Sequence, residues 1–439
     1  MSILSFVSRV LKIVLQILIM VSVFVSVLAL GLFVTARYHE TPQVEKVVSY
    51  DAPSKTIWKI QSIDTMKQSR DLARGKAYDT AFDNEIAWQV KAIAETGANY
   101  IALGTPYDKE FLPFLRRWVR AARENHLNIW FRGNWSGWEG WFDYPKNLTR
   151  ANHIKKTEDF IIKNSDIFED GDIFSPCPEC ENGGTGDPRQ TGDVVGYRRF
   201  ITEEYQVAQA AFSQMNKKVQ IFYPSNRDVA KLIMDKETTR SLGGFVIIDH
   251  HISDAQQIAR DIEDMGKSSG GKVILGEFGI PSNDAQERTM TVADQAHWLK
   301  AVFEGLLGVR DLEGVNYWVN TTGSTQLWKE NGDALPAVSI VKEYYSPNVV
   351  HGVVKDEYFC PVKNAKIRAL DKEGITNESG YYEIRSIGDP IPSIFVSAPG
   401  YIGRNEVVDT TFQKLDVVLN RETSGSFLQK NWSFKRCSK

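Results

Sequence analysis

The sequence has little excess charge of either sign and few cysteines. Its 439 residues include 52 Lys and Arg against 55 Asp and Glu, which gives a formal net charge of −3. A balance this close excludes a strongly basic nucleic-acid binder and an acidic disordered tail protein. The four cysteines are too few for a disulfide scaffold, and a chain of this length can bury its own hydrophobic core. We expect two or three structural units and no nucleic-acid partner.

Charged residues are also missing from Ile13 to Ala36, a run of 24 positions that follows two basic residues. Such a run is long enough to cross a hydrocarbon core of about 30 Å. Basic residues before it predict a cytoplasmic N-terminus. We therefore expect residues 1–37 to be a transmembrane anchor and 38–57 a linker, with the rest of a single-pass cell-membrane protein extracytoplasmic. A cleaved signal peptide is the alternative, because residues 34–36 have the small-residue pattern of a cleavage site.

Short apolar strands alternate with amphipathic helices from residue 58 to residue 346. No glycine-rich phosphate loop follows the first strand, which disfavours the alternative of an open doubly wound sheet. Apolar strands are typical of a parallel sheet covered on both faces. Their number and the chain length predict an α/β fold, a (β/α)8 TIM barrel. The predicted strands are 58–64, 99–104, 127–132, 172–176, 219–224, 244–249, 272–278 and 315–320.

The pattern changes near Pro347. Residues 348–421 contain short strands separated by Gly, Pro and Asn, which predicts a small all-β sandwich. Residues 422–439 are polar and basic, and we expect a flexible tail there. The predicted order is therefore anchor, linker, barrel over 58–346, sandwich and tail.

Acidic residues occur where the predicted barrel strands end, which is where such barrels carry their sites. Glu277 lies inside an apolar strand, where a carboxylate is costly without a task or a partner. Glu179 and Glu181 follow the fourth strand. Two carboxyl groups at one barrel mouth can hydrolyse a glycosidic bond, one as the acid and the other as the nucleophile or base. A structural salt bridge is the alternative for Glu277.

Aromatic and basic residues at the same strand ends are candidate substrate-binding residues. Tryptophans in a glycine-punctuated loop suit stacking on sugar rings, although loop packing is the alternative. Arg132 is a candidate to orient the nucleophile by charge-assisted hydrogen bonds, or else forms a salt bridge. Two adjacent histidines point to opposite faces if extended, so one of them can face the site. The candidates are Arg132, Trp135, Trp138, Trp141, His250, His251 and Trp318.

Four of these features together resemble the cellulase-type glycoside hydrolases of clan A over residues 60–345. They are a strand-four Glu, a strand-six His, Glu277 within Gly-Glu-Phe-Gly, and Trp318 on strand eight. The resemblance implies that Glu277 is the nucleophile and a strand-four Glu the acid/base, with retention of configuration. It also implies a poly- or oligosaccharide substrate. No cofactor and no metal are expected.

The strand-four acid departs from the pattern of that group, where it follows Asn and precedes Pro. Here Glu179 lies between Pro178 and Cys180, and Glu181 precedes Asn182. We favour Glu179 because it is nearer the strand end, and Glu181 stays the alternative. The departure keeps open a surface glycan-binding protein with an inactive barrel.

Two further features carry their own expectations. Gly380-Tyr381-Tyr382 and Ala398-Pro399-Gly400-Tyr401 resemble the carboxypeptidase regulatory-like, transthyretin-type sandwich, which implies a non-catalytic module. Cys177 and Cys180 flank Glu179. They predict a local disulfide or free thiols, and a zinc-dependent hydrolase that uses both is a weaker alternative.

Overall fold

The computed structural model describes residues 55–281 and 290–422. Among these residues, nine strands form one sheet in which every neighbouring pair is parallel. Each of the eight predicted segments overlaps at least one of these strands, and β9 begins three residues before the segment predicted at 315–320. They are β1 (Ile60–Asp64), β2 (Tyr100–Leu103), β3 (Asn128–Phe131), β4 (Ile173–Phe174), β5 (Gln220–Ile221), β6 (Pro224–Asn226), β7 (Phe245–Asp249), β8 (Lys272–Phe278) and β9 (Leu312–Tyr317).

The strand order corrects the prediction of a closed eight-stranded TIM barrel. The order is β5-β4-β3-β2-β1-β9-β8-β7-β6, so β5 and β6 are the two edges of a curled parallel sheet. The sequence predicts one strand over 219–224, but that segment is split. The Phe222 N–H still donates to β4, whereas Pro224 has no N–H to donate, and its carbonyl accepts from the Glu179 N–H at 2.7 Å. A hydrogen bond from the loop after β4 therefore replaces the strand pairing that a continuous fifth strand would make at Pro224.

Helices cover this sheet. Asp254 caps one of them, because its side chain accepts hydrogen bonds from the backbone N–H groups of Gln256 and Gln257. The helices are α1 (Met66–Ser69), α2 (Ala73–Lys76), α3 (Asp83–Ala94), α4 (Leu112–Glu124), α5 (Ser136–Glu139), α6 (Arg150–Lys163), α7 (Pro188–Thr191), α8 (Val194–Gln214), α9 (Arg227–Ile233), α10 (Lys236–Ser241), α11 (Ala255–Ser269), α12 (Val292–Leu306) and α13 (Pro336–Tyr345).

The strands bury both of their faces, as the apolar runs predict. In β2, Ile101 and Leu103 belong to the core cluster that the helices share. Tyr100 and Ala102, which alternate with them, belong to a second cluster built from strand residues. Because successive strand residues point to opposite faces, the helices cover one face and the second cluster fills the other. Polar groups at the strand ends are thus held on a rigid support.

Two smaller sheets follow α13 in the described part of the chain. One joins β10 (Asn348–Asp356) to β13 (Tyr381–Ser386), β16 (Phe412–Lys414) and β17 (Val417–Leu419). The other has the order β12 (Lys372–Ile375), β11 (Lys366–Ala369), β14 (Ser393–Ser397) and β15 (Arg404–Val407). They share a core cluster of their own. The predicted domain boundaries and the resemblance to a carboxypeptidase regulatory-like module stay predictions.

The predicted transmembrane anchor and single-pass membrane localisation are also corrected. Over 55–281 and 290–422, no helix combines the length and the apolar character that crossing a membrane requires. The segment on which the prediction falls, 13–36, lies outside the described residues, and so does the predicted tail.

Candidate active site

Acidic and basic side chains meet at the carboxyl ends of the central strands. Asp64 ends β1, Asp249 ends β7, Glu277 lies near the end of β8, and Arg132 directly follows β3. Because these strands are parallel, their carboxyl ends open on the same side of the sheet. Four residues that are distant in sequence therefore form one cluster.

Arg132 is the centre of this cluster and is almost fully buried. Its Nη2 donates to Glu277 Oε1 at 2.5 Å and to Asp249 Oδ2 at 3.3 Å. Its Nε lies 3.2 Å from Asp64 Oδ2. One guanidinium thus faces three carboxyl groups, and its planar set of donors suits such contacts. The predicted contact between Arg132 and Glu277 is present.

An irregularity in β8 directs Glu277 into the cluster. The pairing of β7 with β8 shifts before Asp249, so that Asp249 faces Glu277 and Gly276 is an extra residue, as in a β-bulge. The Gly276 carbonyl accepts hydrogen bonds from Arg132 Nη1 at 3.1 Å and from Asn316 Nδ2 at 2.8 Å. A Cβ at Gly276 would lie 2.5 Å from Asp249 Oδ1. The first glycine of the Gly-Glu-Phe-Gly motif therefore makes room for the cluster.

The cluster holds more carboxyl groups than cations, so the pKa values of its members diverge. Burial outweighs the lowering effect of Arg132 and raises the pKa of Asp64 to about 6. Burial also raises the pKa of Asp249 well above its usual range. Burial acts in the same direction on Glu277, but Arg132 and a hydrogen bond from His251 outweigh it and lower the pKa of this carboxyl. Glu277 is therefore the most readily ionised carboxyl of the cluster.

Glu179 is held in the loop after β4 between the two cysteines of one disulfide. Cys177 and Cys180 are bonded to each other, with their Cα atoms 5.1 Å apart. The Glu179 backbone is left-handed, with φ 46° and ψ 51°. Residues that carry a Cβ rarely adopt this conformation, so the closed loop fixes Glu179 in a geometry that an open chain would seldom visit.

The Glu179 side chain is half-buried. Burial raises its pKa to about 8; the Glu277 and Glu181 carboxylates add to the increase, and Arg132 opposes it. Its Oε2 accepts a hydrogen bond from Asn182 Nδ2 at 2.8 Å. Near neutral pH, Glu179 is therefore protonated while Glu277 is ionised.

Glu181, the alternative acid/base, has a different environment. It is buried, and its Oε1 accepts hydrogen bonds from the backbone N–H and the Nδ2 of Asn226, at 2.7 and 3.1 Å. The Tyr197 hydroxyl donates to its Oε2 at 3.4 Å. Both oxygens are thus engaged by the protein, and Glu181 is not part of the cleft wall.

A cleft of about 340 Å³ opens beside the cluster. Its wall contains Glu179 and Glu277 together with two tryptophans, two arginines and a third glutamate. The lining residues are Met66, Arg70, Arg132, Glu139, Trp141, Pro178, Glu179, Asn182, Glu277 and Trp318.

The four candidate tryptophans separate into two pairs. Trp141 and Trp318 are half-buried and line the cleft, and the Arg70 guanidinium lies 4.8 Å from the centre of the Trp141 ring. Trp135 and Trp138 are buried instead. Trp138 stacks on Phe200 with ring centres 5.4 Å apart. Trp135 and Trp138 therefore present no open face for the sugar stacking that the sequence predicts.

The two candidate histidines point in different directions, as an extended pair should. His251 donates from Nδ1 to the Gly279 carbonyl at 3.1 Å, and its Nε2 lies 3.5 Å from Glu277 Oε2. His250 Nε2 is instead 2.8 Å from Asp261 Oδ2. His251 therefore belongs to the site, whereas His250 belongs to a separate buried ion-pair cluster.

The Cys177–Cys180 disulfide also bears on the zinc alternative. Zinc is held by cysteine thiolates, and the two sulfurs are bonded to each other. The two ligands that the zinc-dependent hydrolase requires are therefore absent in this state of the chain.

No protein-family model and no curated protein matches the chain. Its similar solved structures are glycoside hydrolases. They include β-glucuronidase 2 of Bacteroides uniformis, at 10% identity over 82% of this chain and 46% of that one, with a TM-score of 0.46. They also include GH5_18 of Bifidobacterium longum, at 14% identity over 74% of this chain and 84% of that one, with a TM-score of 0.48.

The chain spans about half the length of the Bacteroides β-glucuronidases that it resembles, 46% and 47%. Both TM-scores lie below 0.5, so the likeness decides neither the activity nor the substrate of this chain. Its function has to be argued from the site itself.

Sequence reasoning missed three acidic residues of the site. Asp64 and Asp249 end apolar strands, so the criterion that singles out Glu277 also applies to them. Glu139 lines the cleft from α5, and burial raises its pKa to about 7 although a hydrogen bond from Asn134 opposes this. Nothing in the sequence around Glu139 separates it from an ordinary loop glutamate.

Proposed function

We propose that this chain is a glycoside hydrolase that cleaves the O-glycosidic bonds of an oligo- or polysaccharide with retention of configuration. In this proposal Glu277 is the nucleophile and Glu179 the acid/base. The observation that carries it is the opposite pKa shift of two carboxyl groups that line one cleft. A glycosidase needs one ionised and one protonated carboxyl at the same pH.

In the first step, the Glu277 carboxylate attacks the anomeric carbon and the bond from that carbon to the leaving oxygen breaks. Glu179 transfers its proton to the leaving oxygen. Arg132 holds Glu277 Oε1, and the attacking oxygen is Oε2, which lies 3.5 Å from His251 Nε2. In the second step, Glu179 removes a proton from water as the water attacks the anomeric carbon, and the Glu277 carboxylate is released.

The cleft supports a sugar ligand as well as this chemistry. Trp141 and Trp318 provide aromatic surfaces, and such rings pack against the apolar faces of sugars. His251 lies between Trp318 and Glu277, with ring centres of the histidine and Trp318 5.5 Å apart. A glycan-binding protein without catalysis, the alternative from the sequence, would use the same walls but not the carboxyl pair. Turnover therefore separates the two.

The pH dependence of kcat/KM is expected to be bell-shaped. Glu277 must be ionised, so activity falls on the acid side, at a pH below the ordinary range of a glutamate because its pKa is lowered. Glu179 must be protonated, so activity falls as the pH rises through about 8. Because the two groups interact, each limb reports a value for the pair. The profile is measured on 4-nitrophenyl glycosides between pH 3 and 10, a range set by the two limbs.

The Glu179→Ala variant tests which residue sets the alkaline limb. We expect this limb to disappear, with a loss of about 10²–10⁴-fold for poor leaving groups and a much smaller loss for dinitrophenolate, which departs without a proton. Azide should restore turnover and give a glycosyl azide of retained configuration. If Glu181→Ala shows this behaviour and Glu179→Ala matches the wild type, the assignment of the acid/base is reversed.

A further inference from the structure

Glu139 is a third glutamate of the cleft, and the described part of the chain engages only one of its carboxyl oxygens. It ends α5, the short helix after β3. Its Oε1 accepts a hydrogen bond from Asn134 Nδ2 at 2.6 Å. Within 55–281 and 290–422, Oε2 has neither a hydrogen bond nor an ion pair. A carboxylate oxygen next to a cleft of this kind is available as an acceptor for a ligand.

Asn134 can present only its amide nitrogen to Glu139. Asn134 is fully buried. Its Oδ1 accepts from the Trp135 N–H at 2.7 Å and from His153 Nε2 at 2.9 Å. Because Oδ1 accepts these two hydrogen bonds, the Asn134 amide cannot flip, and its Nδ2 stays directed at Glu139. The orientation of the Glu139 carboxyl is therefore set by a fixed donor.

His153 is itself fixed by a buried carboxyl. Its Nδ1 lies 2.6 Å from Glu204 Oε1, and neither side chain is exposed. Since Asn134 Oδ1 can only accept, His153 Nε2 carries a hydrogen. A further proton lies between Nδ1 and Glu204, whose Oε1 also accepts from the Thr157 hydroxyl at 2.9 Å. The tautomer of the ring is thus determined by its two neighbours.

This buried polar chain runs from Glu204 on α8 through His153 on α6 to Asn134 and ends at the cleft. A buried ionic or polar set contributes little net stability compared with apolar side chains of similar volume. The ring of Trp138, 4.6 Å from that of His153, shows that the surroundings are aromatic core. This series of hydrogen-bonded side chains reaches the cleft at Glu139. This placement indicates a role at the cleft.

We propose that Glu139 binds the substrate, and that Asn134 and His153 are positioning residues that hold its carboxyl in place. Oε2 accepts hydrogen bonds from hydroxyl groups of the sugar unit that lies against Trp141, which is two residues further along the chain and lines the same cleft. The inference rests on the proposed function and adds a residue that binds the sugar without taking part in bond cleavage.

Two measurements test this role. The first is KM and kcat on 4-nitrophenyl glycosides and on gluco- and manno-oligosaccharides. The second is the Kd for the same oligosaccharides, measured in the Glu277→Gln variant. Glu139→Gln is expected to raise both KM and Kd about tenfold or more, with a smaller change in kcat, because the lost contact is to the bound sugar. Glu139→Asp keeps a carboxyl group but places its oxygens farther from the sugar, and should give an intermediate KM.

His153 variants test the positioning chain. His153→Gln keeps a donor for Asn134, so it should raise KM less than His153→Leu does. A purely structural His153 would lower the midpoint and leave KM unchanged in the folded fraction. Glu263→Gln, at an exposed position of α11, is the matched control for Glu139→Gln.

The outcomes separate this inference from the proposed function. If the wild type hydrolyses a glycoside and Glu139→Gln has wild-type KM and Kd, the inference is overturned while the proposed function stands. If no glycoside is hydrolysed but oligosaccharides bind and Glu139→Gln weakens that binding, the catalytic proposal fails and Glu139 keeps its role. If nothing binds or reacts, both are overturned.

Discussion

Replacing Glu277 by glutamine is expected to lower kcat/KM by at least about 10³-fold, about 4 kcal/mol in barrier, while the fold is kept. The amide is nearly isosteric and can still accept the hydrogen bond from Arg132, so the cluster loses a charge but not its shape. It cannot attack the anomeric carbon. Initial rates on 4-nitrophenyl glycosides, with thermal melting of the same samples, measure both effects.

The matched control for this change is Glu263→Gln on the exposed side of α11, which should keep the wild-type rate and melting midpoint. A Glu277→Gln variant within about tenfold of the wild type, about 1.4 kcal/mol in barrier, would contradict a nucleophilic role. A variant that loses activity because it unfolds would show itself by its melting curve.

Replacing Arg132 by methionine is expected to have the largest effect on stability. The guanidinium is the buried cation that Asp64, Asp249 and Glu277 share. Without it, buried carboxylates have no partner, which typically costs about 3–5 kcal/mol of the free energy of unfolding. Glu277 also loses the charge that lowers its pKa, so turnover should fall with stability. Urea unfolding at pH 5 and pH 8 measures the first effect.

The loss on Arg132→Met should depend on pH in a definite direction. The pKa values of Asp64 and Asp249 are already raised in the wild type, and without the cation they rise further and that of Glu277 is no longer lowered, so the folded variant binds more protons than the folded wild type. The stability of the variant relative to the wild type then falls as the pH rises, and the deficit is larger at pH 8 than at pH 5. Arg260→Met, at an exposed position of α11, is the control. An equal loss at both pH values would mean that Arg132 acts by packing alone.

The sequence predicts the parts of the site that depend on local context. Glu277 stands out because a carboxylate within an apolar strand needs a reason, and Glu179 because it follows a strand end. The sequence could not show that Asp64 and Asp249 share one cation, since that depends on which strands are neighbours. The sequence also could not show that Trp138 is buried whereas Trp141 lines the cleft. Trp138 is buried because it packs on Phe200, which belongs to a helix far along the chain.

The fold shows the same limit at the fifth predicted strand. The segment 219–224 is apolar apart from Gln220, and only the proline at its end limits the strand. The split into β5 and β6 arises because β4 ends after Phe174 and the loop that carries Glu179 then takes the Pro224 carbonyl. A local pattern predicts that a strand exists, whereas its partners decide where it ends.

The most direct test of the carboxyl pair is to trap the glycosyl-enzyme. The protein is incubated with 2,4-dinitrophenyl 2-deoxy-2-fluoro glycosides of the sugars that it hydrolyses, and the tryptic peptide 273–288 is examined by tandem mass spectrometry. We predict one fluoroglycosyl ester, on Glu277, formed with release of one dinitrophenolate and absent from Glu277→Gln. An ester on another carboxyl, or dinitrophenolate release by Glu277→Gln at the wild-type rate, would contradict the account.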